Sequence, residues 1–87
     1  MYKIIIFGTG LYGKQALQFF TRENVMFWTD NKEDLHGKLI EGIEVIPPSE
    51  LKKYLNECVI VIAAKPEFFN QIKYQLNKEY GIEMALN

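Results

Sequence analysis

The chain contains few of the residues that usually carry covalent catalysis or bind metals. Cys58 is the only cysteine among 87 residues, so an internal disulfide is impossible and no second thiol is available to share a metal ion. His36 is the only histidine, and it lies in the polar stretch "KEDLHGK". These two residues are therefore interpreted as a small buried side chain and a solvated loop residue, neither of them catalytic.

Charge of one sign and long apolar runs are also lacking. Ten basic and eleven acidic residues give a net charge of -1, and like charges do not cluster. A nucleic-acid footprint and a polybasic membrane patch are therefore not expected. The longest apolar run, residues 58–64, is far shorter than the roughly 20 residues that cross a bilayer. We predict a cytoplasmic protein with neither a nucleic-acid partner nor a membrane partner.

The length and composition predict one globular domain over residues 1–87, either a whole protein or a fragment of a larger enzyme. Apolar residues make up 48% of the chain and charged residues 24%, which is typical of a folded domain. Two domains would need considerably more residues, because domains usually hold roughly 100 to 200.

Short apolar segments alternate with segments of helical periodicity. Strands are predicted at Lys3–Phe7, Val25–Thr29, 58–64 and 82–86, with a hairpin of Leu39–Ile40 and Ile43–Ile46. Helices are predicted over 11–22 and 66–80. A further helix is predicted to start at Pro47 and Pro48, with Ser49 as its cap. Alternating strands and helices indicate an α/β three-layer sandwich with a mostly parallel sheet of about five strands.

A glycine-rich turn joins the first predicted strand to the first helix, in "KIIIFGTGLYGKQALQFF". In a G-x-G-x-x-G motif the first glycine allows a tight turn, the second lets backbone N–H groups approach a pyrophosphate, and the third lets the helix pack on the strand. Gly8, Gly10 and Gly13 fit these positions. The helix starting near Leu11 would direct its free N–H groups at the phosphate, and Thr9 would add a hydroxyl donor.

Asp30 follows the second predicted strand about 20 residues beyond the turn, where dinucleotide-binding proteins place an acidic residue. A carboxylate there accepts hydrogen bonds from a ribose 2′-hydroxyl and repels a 2′-phosphate, so NAD is favoured over NADP. The alternative is structural: Gly8 and Gly13 would serve the turn and packing alone, and Asp30 with Asn31 would cap the next helical turn.

The end of the strongest predicted strand should lie beside the same turn. In open α/β sheets ligands bind beyond the carboxyl ends of the strands, where the strand order reverses, which places Ala63 and Ala64 next to Gly8. Their small side chains would leave room for a ribose or a ring. Tyr12 would line this pocket, whereas Trp28, within a strand, is predicted to be core.

Four segments together carry a family resemblance: "IIIFGTGLYGKQAL", "FWTDN", "GKLIEGIEVIPPSEL" and "VIVIAA". They resemble the Rossmann-like nucleotide-binding domain of bacterial surface-polysaccharide and sugar-nucleotide proteins, of the CapD-like and PglD/NeuD-like kinds. The chain has Leu11-Tyr12 where the acyltransferases usually carry a Gly-His pair. By this resemblance and the motifs, the predicted binding residues are Gly8, Thr9, Gly10, Leu11, Tyr12, Gly13, Asp30, Asn31, Ala63 and Ala64.

The resemblance implies a nucleotide-binding module of surface-polysaccharide or sugar-nucleotide biosynthesis that holds NAD or a UDP-sugar. The module would not catalyse by itself, because the sequence shows no acid/base pair or nucleophile constellation. Two alternatives remain open. One is a CoA- or NAD-sensing or dimerisation module. The other is a small NAD-dependent oxidoreductase, with His36 or Lys65 as its proton donor. The expected protein partner of the chain is a second copy in a homodimer or an attached catalytic domain.

Overall fold

The computed structural model describes residues 2–86, which form a six-stranded sheet flanked by two α-helices and several 3-10 segments. The strands are β1 (Lys3–Phe7), β2 (Val25–Thr29), β3 (Leu39–Ile40), β4 (Ile43–Ile46), β5 (Cys58–Ile62) and β6 (Ala85–Leu86). The α-helices are α1 (Leu11–Phe20) and α2 (Pro66–Tyr80), and 3-10 segments cover Arg22–Asn24, Glu33–Leu35 and Pro48–Tyr54.

The strand order in the sheet is β3-β4-β2-β1-β5-β6. All neighbours pair in parallel except β3 and β4, which form the antiparallel hairpin predicted from the sequence. The chain moves from β1 outwards to β4 and then returns to place β5 on the other side of β1. The strand order therefore reverses between β1 and β5, and the carboxyl ends of these two strands meet there.

Each face of the sheet carries its own core, because β1, β2 and β5 are apolar on both sides. One core packs under α1 and contains Ile6, Val25, Trp28, Ile43 and Val45. The other packs under α2 and the segment Pro48–Tyr54; its members include Ile5, Phe7, Leu51, Ile60 and Leu76. The α/β three-layer architecture predicted from the sequence is confirmed.

Trp28 is fully buried in the first core, as predicted for this residue. Its indole N–H donates to the carbonyl oxygen of Ile40 at 2.9 Å, which ties the β3–β4 hairpin to the sheet. A buried indole N–H needs such a partner. The hairpin is thus held by a side-chain contact as well as by its pairing with β2.

The structure differs from the sequence predictions at several element ends. The sheet has six strands, not about five. Helix α1 stops at Phe20 because Thr21 has a φ of 70°, and the Asn24 side chain caps the Phe20 carbonyl at 2.8 Å. Strand β5 ends at Ile62, two residues early, since its partner β1 ends at Phe7.

The predicted capping role of Ser49 is wrong. The segment Pro48–Tyr54 is a 3-10 helix that begins after Pro47, so Ser49 lies inside it and not at its cap. Within the described residues, no side-chain hydrogen bond caps this segment. Short segments often adopt the tighter 3-10 pattern.

None of the helices within residues 2–86 is long and apolar enough to span a membrane.

Candidate functional site

Gly8 makes the turn that follows β1, and only glycine fits there. Its φ is 121°, and a Cβ atom at this position would overlap the carbonyl oxygen of Ala63. The Gly8 N–H donates to the Thr29 carbonyl, and the Ala63 N–H donates to the Phe7 carbonyl, both at 2.9 Å. The turn is therefore clamped between the ends of β2 and β5. Ala63 lies beside Gly8 as the sequence predicted.

Gly13 is equally fixed by packing, on the first turn of α1. An added Cβ would overlap the carbonyl oxygen of Gly8 and come within 3.1 Å of the Trp28 ring. The absence of a side chain lets the helix start directly against the turn. Gly8 and Gly13 are thus explained by the fold alone.

Gly10 has no such structural explanation. Its φ is -84°, which any residue adopts, and a Cβ there would meet no atom within 4 Å. Gly10 is exposed at the N-terminus of α1, and within residues 2–86 no side chain caps this helix end. Leu11 and Tyr12, which follow it, are 70% and 43% exposed. Backbone N–H groups at this end are open to a ligand.

Thr9 and Asp30 form the main polar contact of the turn. The Thr9 N–H and the Thr9 hydroxyl both donate to Oδ2 of Asp30, at 3.0 and 2.8 Å. The Thr9 hydroxyl is buried and donates to the carboxylate in this conformation, and its predicted role as a phosphate donor stays a prediction. Thr9 fixes the carboxylate against the glycine turn.

The other carboxylate oxygen of Asp30 keeps room for a further donor. Oδ1 accepts one hydrogen bond, from the Lys32 N–H at 3.1 Å. A carboxylate oxygen has two lone-pair positions, so one on Oδ1 remains for a ligand hydroxyl. Asp30 is partly exposed, which makes that position reachable. The predicted capping of the next helical turn by Asp30 and Asn31 is not found, since the segment Glu33–Leu35 begins after Lys32 without a side-chain cap.

His36 is not the solvated loop residue that the sequence predicted. It is half-buried, and its Nε2 lies 2.7 Å from the carbonyl oxygen of Asp30. Because a carbonyl can only accept, Nε2 carries the hydrogen in this contact. His36 therefore fixes the backbone at Asp30 through the Asp30 carbonyl. No local sequence pattern indicates this contact, because it depends on how the loop folds back.

Asn31 is joined to α2 by a reciprocal pair of amide hydrogen bonds. The Asn31 amide nitrogen donates to Oε1 of Gln75 at 2.9 Å, and the Gln75 amide nitrogen donates to Oδ1 of Asn31 at 2.8 Å. Gln75 was not predicted as a site residue. Because the two partners are 44 positions apart in the sequence, no local pattern indicates this contact.

Two clefts lie near the turn. The apolar cleft, of about 420 Å³, lies between α1 and the end of β5, and its lining includes Tyr12, Phe19, Ala63, Ala64 and Phe69. The polar cleft, of about 410 Å³, lies beyond β2 and β4, and its lining includes Asn31, Glu33, His36, Ser49 and Tyr80. A third cavity, of about 500 Å³, lies at the amino end of β5, far from the turn.

Two titratable side chains have shifted pKa values. Burial, with a smaller contribution from Glu79, raises the pKa of Tyr80, so its phenol in the polar cleft is a hydrogen-bond donor at neutral pH. Burial also raises the pKa of Cys58, as expected of the structural thiol that the sequence predicted. In the part of the chain that the structure describes, no group of three or more His, Cys, Asp or Glu residues is placed to hold a metal ion.

The structure thus brings the predicted residues of the turn, Asp30 and the alanines to one edge of the sheet. Leu11 is exposed at that edge, Tyr12 lines the apolar cleft with Ala63 and Ala64, and Asn31 contacts α2. Their predicted role in ligand binding stays a prediction.

A family comparison covers almost the whole chain. The model of the family described as C2185-like, N-terminal, matches residues 1–85. No curated protein matches the sequence.

Solved structures share the fold at low sequence identity. UDP-D-quinovosamine 4-dehydrogenase from Vibrio fischeri is 18% identical, with a TM-score of 0.68, over 97% of this chain and 73% of that chain. The Rex-family repressor RSP is 19% identical, with a TM-score of 0.67, over 94% of this chain and 42% of that chain. The structure of RSP in complex with β-NAD+ and operator DNA is 20% identical in sequence, with a TM-score of 0.66. The match covers 94% of this chain and 41% of that chain.

The TM-scores show a common Rossmann-type fold, and at these identities the likeness extends to the fold alone. The chain spans less than half the length of the RSP chains. The operator DNA is a partner of RSP, of whose chain this one spans 41%. The prediction of no nucleic-acid partner rests on the charge pattern alone.

Proposed function

The chain belongs to the C2185-like N-terminal family, and from the open backbone at Gly10 we propose that it is a nucleotide-binding module that takes NAD. The Gly10 turn would hold the pyrophosphate. Gly8 and Gly13 are required by the packing of the turn, but no atom within residues 2–86 requires glycine at position 10. A phosphate that approaches the backbone there would require it, because a side chain would occupy its space.

The start of α1 supports the same assignment. The first N–H groups of a helix lack intrahelical partners, and the positive end of the helix dipole favours an anion. Here that end is exposed, with no side-chain cap among the described residues. Gly10, Leu11 and Tyr12 would therefore donate backbone hydrogen bonds to the phosphates.

Asp30 supports a ribose beside the phosphates. Thr9 fixes Oδ2, and Oδ1 keeps a lone pair for a ribose hydroxyl. A 2′-phosphate would be repelled by the carboxylate, so NAD is preferred to NADP. The other half of the ligand would extend past Ala63 and Ala64 towards the apolar cleft, where small side chains leave room for a ring.

The module would serve a larger assembly of surface-polysaccharide or sugar-nucleotide biosynthesis in the cytoplasm. This part of the proposal is supported by the sequence resemblance to CapD-like and PglD/NeuD-like proteins and by the fold shared with a UDP-sugar dehydrogenase. Catalytic groups would come from an attached or associated domain. In this setting a UDP-sugar is the alternative ligand, bound through the same turn.

Isothermal titration calorimetry with NAD, NADP and UDP-N-acetylglucosamine tests the proposal. We expect saturable heat with NAD and a weaker or undetectable signal with NADP. Gly10→Ala should fold normally and lose at least about tenfold in affinity, which corresponds to roughly 1.4 kcal/mol. If none of the ligands binds the wild-type chain at millimolar concentration, the proposal is wrong.

A second candidate function is a sensing module whose nucleotide-bound state is read by a protein partner. The observation that favours it is Phe19, which is 81% exposed on α1 and lines the apolar cleft together with Tyr12, Ala63 and Ala64. A ligand at the turn would thus adjoin an exposed aromatic surface. Sedimentation with and without NAD tests this candidate: a change of oligomeric state supports it, and an unchanged monomer counts against it.

A further inference from the structure

We propose that Gln75 is a positioning residue for the nucleotide site, acting through Asn31 to hold Asp30 in place for the ribose; this inference rests on the proposed function. Gln75 belongs to α2 and lies outside every motif of the sequence. Its amide exchanges two hydrogen bonds with Asn31, the residue directly after the proposed ribose-binding carboxylate.

The Asn31–Gln75 pair joins the two sides of the site. Asn31 follows β2, on the side that carries Asp30. Gln75 lies in the helix that leaves the end of β5, on the side that carries Ala63 and Ala64. A contact between these sides controls how far apart they lie when no ligand is bound.

The contacts that hold the chain around Asp30 come from three places. Thr9 donates its N–H and its hydroxyl to the Asp30 carboxylate from the glycine turn. Lys32 donates its N–H to the Asp30 side chain, and His36 donates to the Asp30 carbonyl, both from within the same loop. Gln75 supplies the contact from α2, to the residue after Asp30. Contacts inside the loop leave it free to move as a unit, whereas the contact to a packed helix restricts the backbone that follows the carboxylate.

The pair contributes little to folding, because Asn31 is exposed and amide hydrogen bonds at the surface largely replace those to water. Its value lies in preorganisation. A loop that is already ordered does not have to be ordered on binding, and each immobilised side chain otherwise weakens affinity. Loss of the Gln75 amide should therefore weaken nucleotide binding without loosening the fold.

The test compares ADP with 2′-deoxy-ADP, since only ADP offers the 2′-hydroxyl to Asp30. In Gln75→Ala we expect the affinity for ADP to fall about fivefold and that for 2′-deoxy-ADP less than about twofold. Gln71→Ala is the matched control: Gln71 is an exposed glutamine one turn earlier on α2. It should bind both ligands like the wild type. The double swap Asn31→Gln with Gln75→Asn keeps both amides and should restore most of the preference for ADP.

Two failures can be told apart. If wild-type protein binds neither nucleotide, the proposed function and this inference both fall. If wild-type protein binds ADP but Gln75→Ala keeps its affinity, or weakens both ligands equally, only the positioning role is overturned. Thermal unfolding of each variant shows that the comparison is made on folded protein.

Discussion

Thr9 donates both its backbone N–H and its hydroxyl to the same carboxylate oxygen of Asp30. The two residues lie 21 positions apart, at the ends of neighbouring strands, and their contact joins the glycine turn to the end of β2. Hydrogen bonds to a charged acceptor in a partly buried position are among the stronger ones in proteins. The carboxylate is thus part of the turn even without a ligand.

Thr9→Val should lower the free energy of unfolding by about 1.5 kcal/mol, because it removes the hydroxyl donor to a charged, partly buried oxygen. Thr9→Ser keeps the hydroxyl and is the control. Urea denaturation followed by the fluorescence of Trp28 measures both. Equal stability of the valine and serine variants would show that the hydroxyl contact contributes nothing.

Gly13→Ala should destabilise the protein strongly, whereas Gly10→Ala should leave its stability almost unchanged. The first forces a Cβ into the Gly8 carbonyl and should cost more than about 2 kcal/mol, as overpacking against backbone does. The second places a Cβ in open space at an ordinary φ and should change stability by less than about 0.5 kcal/mol. Denaturation midpoints measure both effects. A large loss in Gly10→Ala would contradict the assignment of that glycine to ligand binding.

Thr29→Val should stabilise the protein. Thr29 is fully buried at the end of β2, and within residues 2–86 its hydroxyl has no hydrogen-bond partner. Valine has nearly the same shape and removes the unsatisfied group, so we expect a gain of about 1 kcal/mol. A melting temperature that falls instead would mean that the hydroxyl is satisfied in solution.

The free energy of unfolding should fall at alkaline pH. Burial raises the pKa of Cys58 in the folded protein, so the unfolded chain loses the thiol proton first. Stability from this group is present below the unfolded pKa, roughly 8.5, and is lost as pH rises through the higher folded value. In Cys58→Val the free energy of unfolding should fall less steeply with pH above roughly 8.5. An unchanged slope would mean that other groups cause the pH dependence. Tyr80, whose pKa is also raised, would then be tested with Tyr80→Phe.

The strands could be predicted because their signal is local. Lys3–Phe7 and Val25–Thr29 are continuous apolar runs with clear ends, and the structure has them with the predicted bounds. The hairpin of β3 and β4 was predicted from its apolar pairs around Glu41 and Gly42. The glycine turn could also be predicted, since its spacing constrains backbone geometry directly.

The polar contacts of the site could not be predicted. The bonds from Thr9 to Asp30 and from Asn31 to Gln75 depend on strand register and on the tilt of α2, which no local pattern records. The hydroxyl of Thr9 illustrates the consequence. From the sequence this hydroxyl is a free donor inside a phosphate turn. In the fold the Asp30 carboxylate lies 2.8 Å from it, and the hydroxyl donates to that carboxylate.

Two-dimensional NMR titration of the labelled chain tests whether the Gly10 turn binds the phosphates of NAD. On adding NAD we expect saturable shifts at the amides of Gly8, Gly10, Tyr12, Gly13 and Asp30, and much weaker shifts in Gly10→Ala. If these amides do not shift at millimolar NAD while the protein remains folded, the turn is a packed corner and the claim is wrong.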